Sequence, residues 1–272
     1  MQRYATIEKR IGETPLEAAE RLRVTLGLSA DIPLAYAGRL DPMASGKLLV
    51  LIGDECKKQE QYHTLDKEYT FEVLFGVRSD TADVLGIVEE CGVGSGAEVG
   101  AANLRAAASD LVGEITLPYP HFSAKTVRGK PLHVWTLEGR LDEIKIPTHT
   151  SHVYVCIHLN TRTLRGSELL AETLKKIDSF PTVTDERKAL GRDFRRTGVR
   201  AAWNTLLKNR KEEYFTLATF RTISSSGTYM RSLAEELAKR VGTCGLAFGI
   251  HRTKMGTYRK LFGRVGLWTK QF

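Results

Sequence analysis

Leu48-Leu49-Val50-Leu51-Ile52 is an unbroken apolar run closed by Gly53. It is too short for a typical helix and reads as a buried strand, so the chain must supply layers that cover it. Those layers are legible nearby. Thr14-Pro15-Leu16-Glu17 is a capping box with proline at the first helical position, followed by apolar Leu16, Ala19, Leu22 and Leu26 and a stop at Gly27, which predicts an amphipathic helix. Tyr69, Phe71, Val73, Phe75 and Val77 alternate with other residues at the period of a half-buried strand. Between helix and run, residues 34–46 form a loop rich in turn residues that ends on the rigid strand. With 272 residues, 42% hydrophobic and 26% charged, the chain can bury a full core, which excludes a disordered chain, a collagen-like repeat and a disulfide-stapled miniprotein.

Further along, residues 103–111 read as a helix, 153–159 as a strand and 214–223 as another strand. Residues 160–213 carry helical spacing at Leu169, Leu170, Leu174 and Ile177 and read as a basic, mainly helical insertion between those strands. After Ser224-Ser225-Ser226-Gly227 a helix is expected to about Val241, with Arg231 beside its apolar stripe. No repeat or low-complexity linker interrupts the chain, so one α+β domain over residues 1–272 is expected. Cys56, Cys91, Cys156 and Cys244 lie far apart without a Cys-x-x-Cys pair, which does not support a disulfide framework. His152, Cys156 and His158 would share a strand face, but no second ligand pair accompanies them and no metal is expected. No apolar run approaches membrane length and the start lacks a signal-peptide pattern, so a cytoplasmic protein without a membrane partner is expected.

Lys and Arg number 40 against 32 Asp and Glu, and the excess lies late, with 23 basic against 10 acidic residues from position 160 onward. The segment RKALGRDFRRTGVRAAWNTLLKNRK holds nine basic residues and one acid, Asp193. That density suits phosphate neutralisation, and a solvated helix face is the plain alternative. Trp203 within it could stack on a base or anchor the segment to the core, and anchoring is the better reading.

Five blocks then occur in order. AYAGRLDPMASGKLLVLIGDECKK resembles the loop around the catalytic aspartate of pseudouridine synthases, most closely the TruB type that modifies transfer RNA. EKRIGETPLEAAERLR, with Lys9 and Gly12, is similar to that family's N-terminal element; DKEYTFEVLFGVRSDTADVLG, with Tyr69, Asp80, Thr81, Asp83 and Gly86, to its second block. HFSAKTVRGKPLH and SSSGTYMRSLAEELAKRVG, with Tyr229 and Arg231, are similar to later ones. The loop departs from the family by reading Ala35-Tyr36-Ala37-Gly38-Arg39 before Leu40-Asp41, and Lys9 is followed by Arg10 rather than proline. The resemblance implies a mainly antiparallel mixed sheet flanked by helices, without the C-terminal PUA domain that many such enzymes carry.

It also implies an isomerase that converts a uridine to pseudouridine, in the TΨC loop of transfer RNA at uridine 55, acting as a monomer. The glycosidic bond breaks, the base turns and rejoins through carbon, so no cofactor or metal is needed. Such chemistry asks for a carboxylate, an aromatic platform and a cation beside the carboxylate. By resemblance Asp41 acts on the ribose as nucleophile or base, Tyr69 stacks on the flipped base, and Arg231 pairs with Asp41. The same resemblance and the charge pattern place Lys9, Arg39, Lys125, Arg128, Lys130, Tyr229, Ile250, Arg192, Arg195, Arg196 and Arg200 against RNA. Each has a plain alternative: Tyr69 as a strand aromatic, Arg231 paired with Glu235 one turn on, Ile250 as core. A non-catalytic RNA-binding or RNA-folding protein on the same scaffold, or a synthase for another RNA, are the competing functions.

Overall fold

The computed structural model describes residues 2–92, 99–180, 195–261 and 265–272. In chain order the elements are β1 (Tyr4–Lys9), α1 (Pro15–Thr25), β2 (Leu34–Ala37), β3 (Ala44–Ile52), α2 (Gln59–His63), β4 (Asp66–Phe75), β5 (Val77–Ser79), β6 (Val88–Glu90), α3 (Ala101–Asp110) and β7 (Gly113–Pro118). There follow β8 (Thr126–Val127), β9 (Lys130–Pro131), α4 (Leu132–Leu137), β10 (Thr148–Arg165), α5 (Gly166–Asp178), α6 (Arg196–Leu207), β11 (Tyr214–Ser224), α7 (Met230–Arg240), β12 (Gly245–Leu261) and β13 (Val265–Gln271). Nine strands make one sheet in the order β1-β3-β12-β4-β11-β10-β7, with β2 on β3 and β13 on β12. Among the described strand pairs of this sheet only β12 against β3 is parallel; this is the mixed, mainly antiparallel α+β architecture expected.

The apolar run behaves as a strand covered on both faces. Leu48 and Val50 pack with Ala18, Ala19 and Leu22 of α1, while Leu49 and Leu51 pack with Tyr62 and Met255 on the other side, as the two-residue side-chain period requires. The capping box of α1 forms in full, with the Thr14 hydroxyl accepting from Glu17 N–H and the Glu17 carboxylate from Thr14 N–H. Its buried stripe is Pro15, Ala18, Ala19 and Leu22; Leu16 and Leu26, expected on it, are exposed. The sheet side is taken by alanines, which let helix and strand approach closely. On β4, only Thr70 and Glu72 escape full burial, because the strand lies inside the sheet and α5 reaches across it: Arg162 binds Glu72 at 2.7 and 2.9 Å and Glu172 of α5 at 2.8 and 2.9 Å.

Two sequence expectations change here, and the anchoring expected of Trp203 holds. Residues 160–165, read as the start of the insertion, continue β10, which stays paired with β11 as far as Arg165 opposite Tyr214; the insertion's helices, α5 and α6, begin beyond that ribbon. Trp203 of α6 is fully buried and its indole N–H donates to Val84 O at 3.1 Å, fastening the insertion to the turn after β5. Cys91 and Cys244, read as unpaired, form a disulfide with Cα atoms 5.9 Å apart. They are 153 residues apart in sequence, so no spacing rule could join them; they meet because Cys91 follows β6 and Cys244 precedes β12, and both bond the backbone of Gly76. Cys156 is buried in the core, which pushes its thiol up to about 12, and His158 bonds the Thr161 hydroxyl at 2.8 Å.

Candidate active site

The loop between β2 and β3 carries Asp41 and is gripped from beneath by buried cations. Lys9 donates to Ala44 O at 2.6 Å and to Arg10 O at 3.0 Å. Arg252 donates to Lys47 O at 2.6 Å and to Gly38 O at 3.1 Å. Both side chains are fully buried. Gly46 permits this arrangement, because a Cβ there would collide with the backbone of Arg252 on the parallel neighbour β12. Burial lowers Lys9 to about 8, opposed by Glu13 and Asp41.

Lys9 therefore cannot touch phosphate as expected; it ties the N-terminal strand to the Asp41 loop. Its ammonium satisfies two carbonyls, and Lys9→Met should lower stability by about 1–3 kcal/mol through the carbonyls it strands. Urea unfolding reads that loss. RNA affinity of the folded variant should keep the wild-type salt dependence, and a shallower salt slope would restore the phosphate contact.

Asp41 is held at the rim of the core, its side chain 39% exposed against 4% for Arg231. Arg231, at the first turn of α7, donates through Nε to Asp41 Oδ2 at 2.8 Å and through Nη2 to Oδ1 at 3.4 Å. The rest of its fork meets Thr81 O at 2.9 Å and Phe122 O at 3.2 Å. Arg231 thus pairs with Asp41, 190 positions away, rather than with Glu235 on its own helix. Burial pulls the guanidinium down, but Asp41 and Asp83 outweigh it and hold Arg231 above its ordinary value. A loop carboxylate locked to a buried cation, with one side toward solvent, is a group fixed in direction and aimed outward.

Asp83 is the second carboxylate, 3.9 Å from Arg231 Nε and accepting from the Thr81 hydroxyl at 2.7 Å and Leu85 N–H at 2.9 Å. Burial pushes its carboxyl up to about 6, opposed by Arg231 and the Thr81 hydroxyl. Its folded value exceeds its ordinary value of 3.8, so its stabilising contribution is complete below about pH 4 and is lost as pH rises through about 6. Urea midpoints of wild type relative to Asp83→Asn should fall across that window; parallel curves would refute the assignment.

Tyr69 and Ile250 are buried in the apolar cluster that also contains Leu40 and Met230, the neighbours of Asp41 and Arg231. Tyr229 caps α7 and meets Tyr119 edge-on at 5.5 Å; burial raises its phenol, with Tyr119 and Asp41 adding to it. Lys125 lies over the Tyr119 ring at 5.2 Å, which joins the SAKTVRGKPLH segment to the same rim. Arg128 is exposed at the tip of the β8–β9 hairpin and Arg39 is exposed beside Asp41. Lys130 is half-buried, bonded to Glu138 at 2.6 Å and over Trp135 at 4.4 Å.

The basic block departs from expectation. Arg200 binds Asp178, Arg196 donates to Phe180 O at 2.7 Å and Arg195 binds Asp80, so each of these guanidinium groups is engaged within the protein. Arg192 lies outside the described residues. Arg252 and the carbonyls of Thr81 and Phe122 were not singled out as site groups from sequence; the one available signal was a charge inside the apolar strand LAFGIHRTKMG.

Residues 32–169, just over half the chain, match the model of the TruB family pseudouridylate synthase N-terminal domain. The chain is 26% identical over 252 residues to tRNA pseudouridine synthase B of Caldicellulosiruptor saccharolyticus, covering 93% of this chain and 67% of that one. It is 31% identical over 166 residues to the Aquifex aeolicus protein of that name, covering 61% and 55%. A chain in the crystal structure of a Cbf5-Nop10-Gar1 complex superposes with a TM-score of 0.55 at 17% identity, covering 93% of this chain and 49% of that one, a likeness of fold. The chain thus spans between about half and two thirds of the length of these proteins. The family blocks that the fold gathers around Asp41 and Arg231 and the match over residues 32–169 lead to one conclusion: this chain belongs to the TruB family of pseudouridylate synthases.

Proposed function

We propose that the protein isomerises uridine to pseudouridine in RNA, at uridine 55 in the TΨC loop of transfer RNA. The observation that carries this reading is the Asp41–Arg231 pair, a carboxylate presented at the rim by a buried cation. Asp41 acts on the ribose, as nucleophile or as the base that starts glycal formation. Arg231 orients it, and Tyr69 with Ile250 forms the apolar bed for the turned base. No group is imported or oxidised, and the reaction returns every atom except the hydrogen at C5, which exchanges with solvent as the new carbon–carbon bond forms. A target uridine must first leave its stack, at a cost of a few kcal/mol that is smallest in a loop. Contacts from Arg39, Lys125 and Arg128 to phosphate offset that cost, with the net charge of +8 drawing RNA to the surface.

The test is tritium release from RNA carrying [5-³H]uridine, comparing a T-arm hairpin with an anticodon-arm hairpin. Release from the T-arm alone, one equivalent per RNA, is expected. Tight binding of both RNAs with no release would identify a non-catalytic RNA-binding protein; release from the other hairpin alone would move the target.

A further inference from the structure

Arg231 is held by two backbone carbonyls besides Asp41, those of Thr81 and Phe122. They belong to separate segments, the turn between β5 and β6 and the irregular stretch between β7 and β8. One side chain outside the family blocks engages both. Arg195, at the start of α6 in the insertion, binds Asp80 through both terminal nitrogens, Nη2 lying 3.1 Å from Oδ1. Its guanidinium carbon also sits 4.8 Å from the centre of the Phe122 ring. Asp80 immediately precedes Thr81. We propose that Arg195 is a positioning residue for the Asp41–Arg231 pair, acting through Asp80 and Phe122 to fix the carbonyls that orient Arg231.

The turn transmits such a hold. Asp80 N–H donates to Ile87 O at 3.2 Å, Ile87 N–H returns to Asp80 Oδ1 at 2.9 Å, and Ser79 Oγ donates to Asp83 O at 2.6 Å. Gly86 lets it close, since a Cβ there would collide with the Thr81 and Asp80 side chains. Anchoring Asp80 therefore anchors Thr81 as a unit, and a bidentate guanidinium–carboxylate pair fixes direction as well as distance. A second observation is independent of these contacts. Arg195 has φ 52° and ψ 21°, the left-handed region that disfavours a side chain with a Cβ. A residue whose only task was to begin α6 would be better as glycine; a strained backbone at such a place points to a side chain with a task. The sequence expectation that Arg195 lies against RNA is thereby replaced.

This inference rests on the synthase reading above, and its test separates the two. Arg195→Gly removes the side chain and relieves the backbone; Arg195→Lys keeps the charge but loses the fork; Asp80→Asn weakens the other partner. Four quantities are measured: kcat and KM for tritium release from the T-arm hairpin, the urea midpoint, and solvent exchange of the Arg231 Nε–H by nitrogen-15 NMR. Arg195→Gly should lower kcat about tenfold or more with KM held within about threefold, because geometry and not RNA affinity is lost. Its urea midpoint should not fall, and Arg231 Nε–H exchange should quicken by about tenfold or more. Arg195→Lys should recover part of kcat, and the Asp80→Asn/Arg195→Gly double variant should lose little beyond either single one. An unchanged kcat with slower exchange or none of the quickening would overturn the proposal, as would a rise in KM alone with a shallower salt slope, which marks a phosphate contact. Should wild type release no tritium, the synthase reading fails, while Nε–H exchange still decides whether Arg195 orients Arg231.

Discussion

Asp41→Asn should remove tritium release from the T-arm hairpin, by at least about a thousandfold in kcat, while leaving RNA affinity within about twofold. The amide has the carboxylate's size and can still accept from Arg231, so the loop keeps its shape, but it can neither attack carbon nor take a proton as an anion. The fold should tolerate the change. Arg231 retains the Thr81 and Phe122 carbonyls and the nearby Asp83 carboxylate, and Lys9 and Arg252 grip the loop through backbone atoms rather than through Asp41. Equal urea midpoints for variant and wild type would establish that the loss is chemical. Wild-type turnover in the variant would end the catalytic assignment.

Arg231→Met should act on both stability and rate. Its guanidinium is 4% exposed and serves Asp41, Asp83 and two carbonyls at once, and removing one member of a buried ionic network costs about 3–5 kcal/mol. Asp41 reaches water and Asp83 can take up a proton, so the lower part of that range is expected. In the fraction that folds, kcat should fall by at least about a hundredfold, because the carboxylate loses the fork that orients it. Arg231→Lys separates the two effects: it keeps a charge, cannot fork to carboxylate and carbonyls together, and should restore more of the stability than of the rate. Wild-type kcat in the folded fraction of Arg231→Met would show that the pair is structural.

The described charges of α6 do not do what the density of the basic block suggested. Arg195, Arg196 and Arg200 each have a partner within the protein, and Trp203 drives α6 onto the turn that carries Asp80, Thr81 and Asp83. An addition expected to hold RNA is thus built against the residues that hold Arg231. The Cys91–Cys244 disulfide lies at the far side of the same turn, tying the end of β6 to the start of β12.

Local rules read well from the chain. The Thr14–Glu17 capping box, the strand in Leu48–Ile52 and the α7 helix follow from caps and apolar periods, which act over a few residues and need no knowledge of what lies across the core. Asp41 and Arg231 were legible as a pair only through a resemblance spread over five blocks, since nothing in either neighbourhood names a partner 190 positions away. The errors share one cause. Lys9, Arg195 and Arg200 were read as open cations because sequence records a charge but not its surroundings; whether a lysine meets water or a carbonyl depends on which strand arrives beside it. The same holds for Cys91 and Cys244, for Arg252 beneath Gly38, and for the six residues that extend β10 beyond its apolar stretch into a ribbon stabilised by β11. Periodicity is set along the chain, whereas burial, ion pairing and the orientation of Arg231 are set by contacts between segments that only folding brings together.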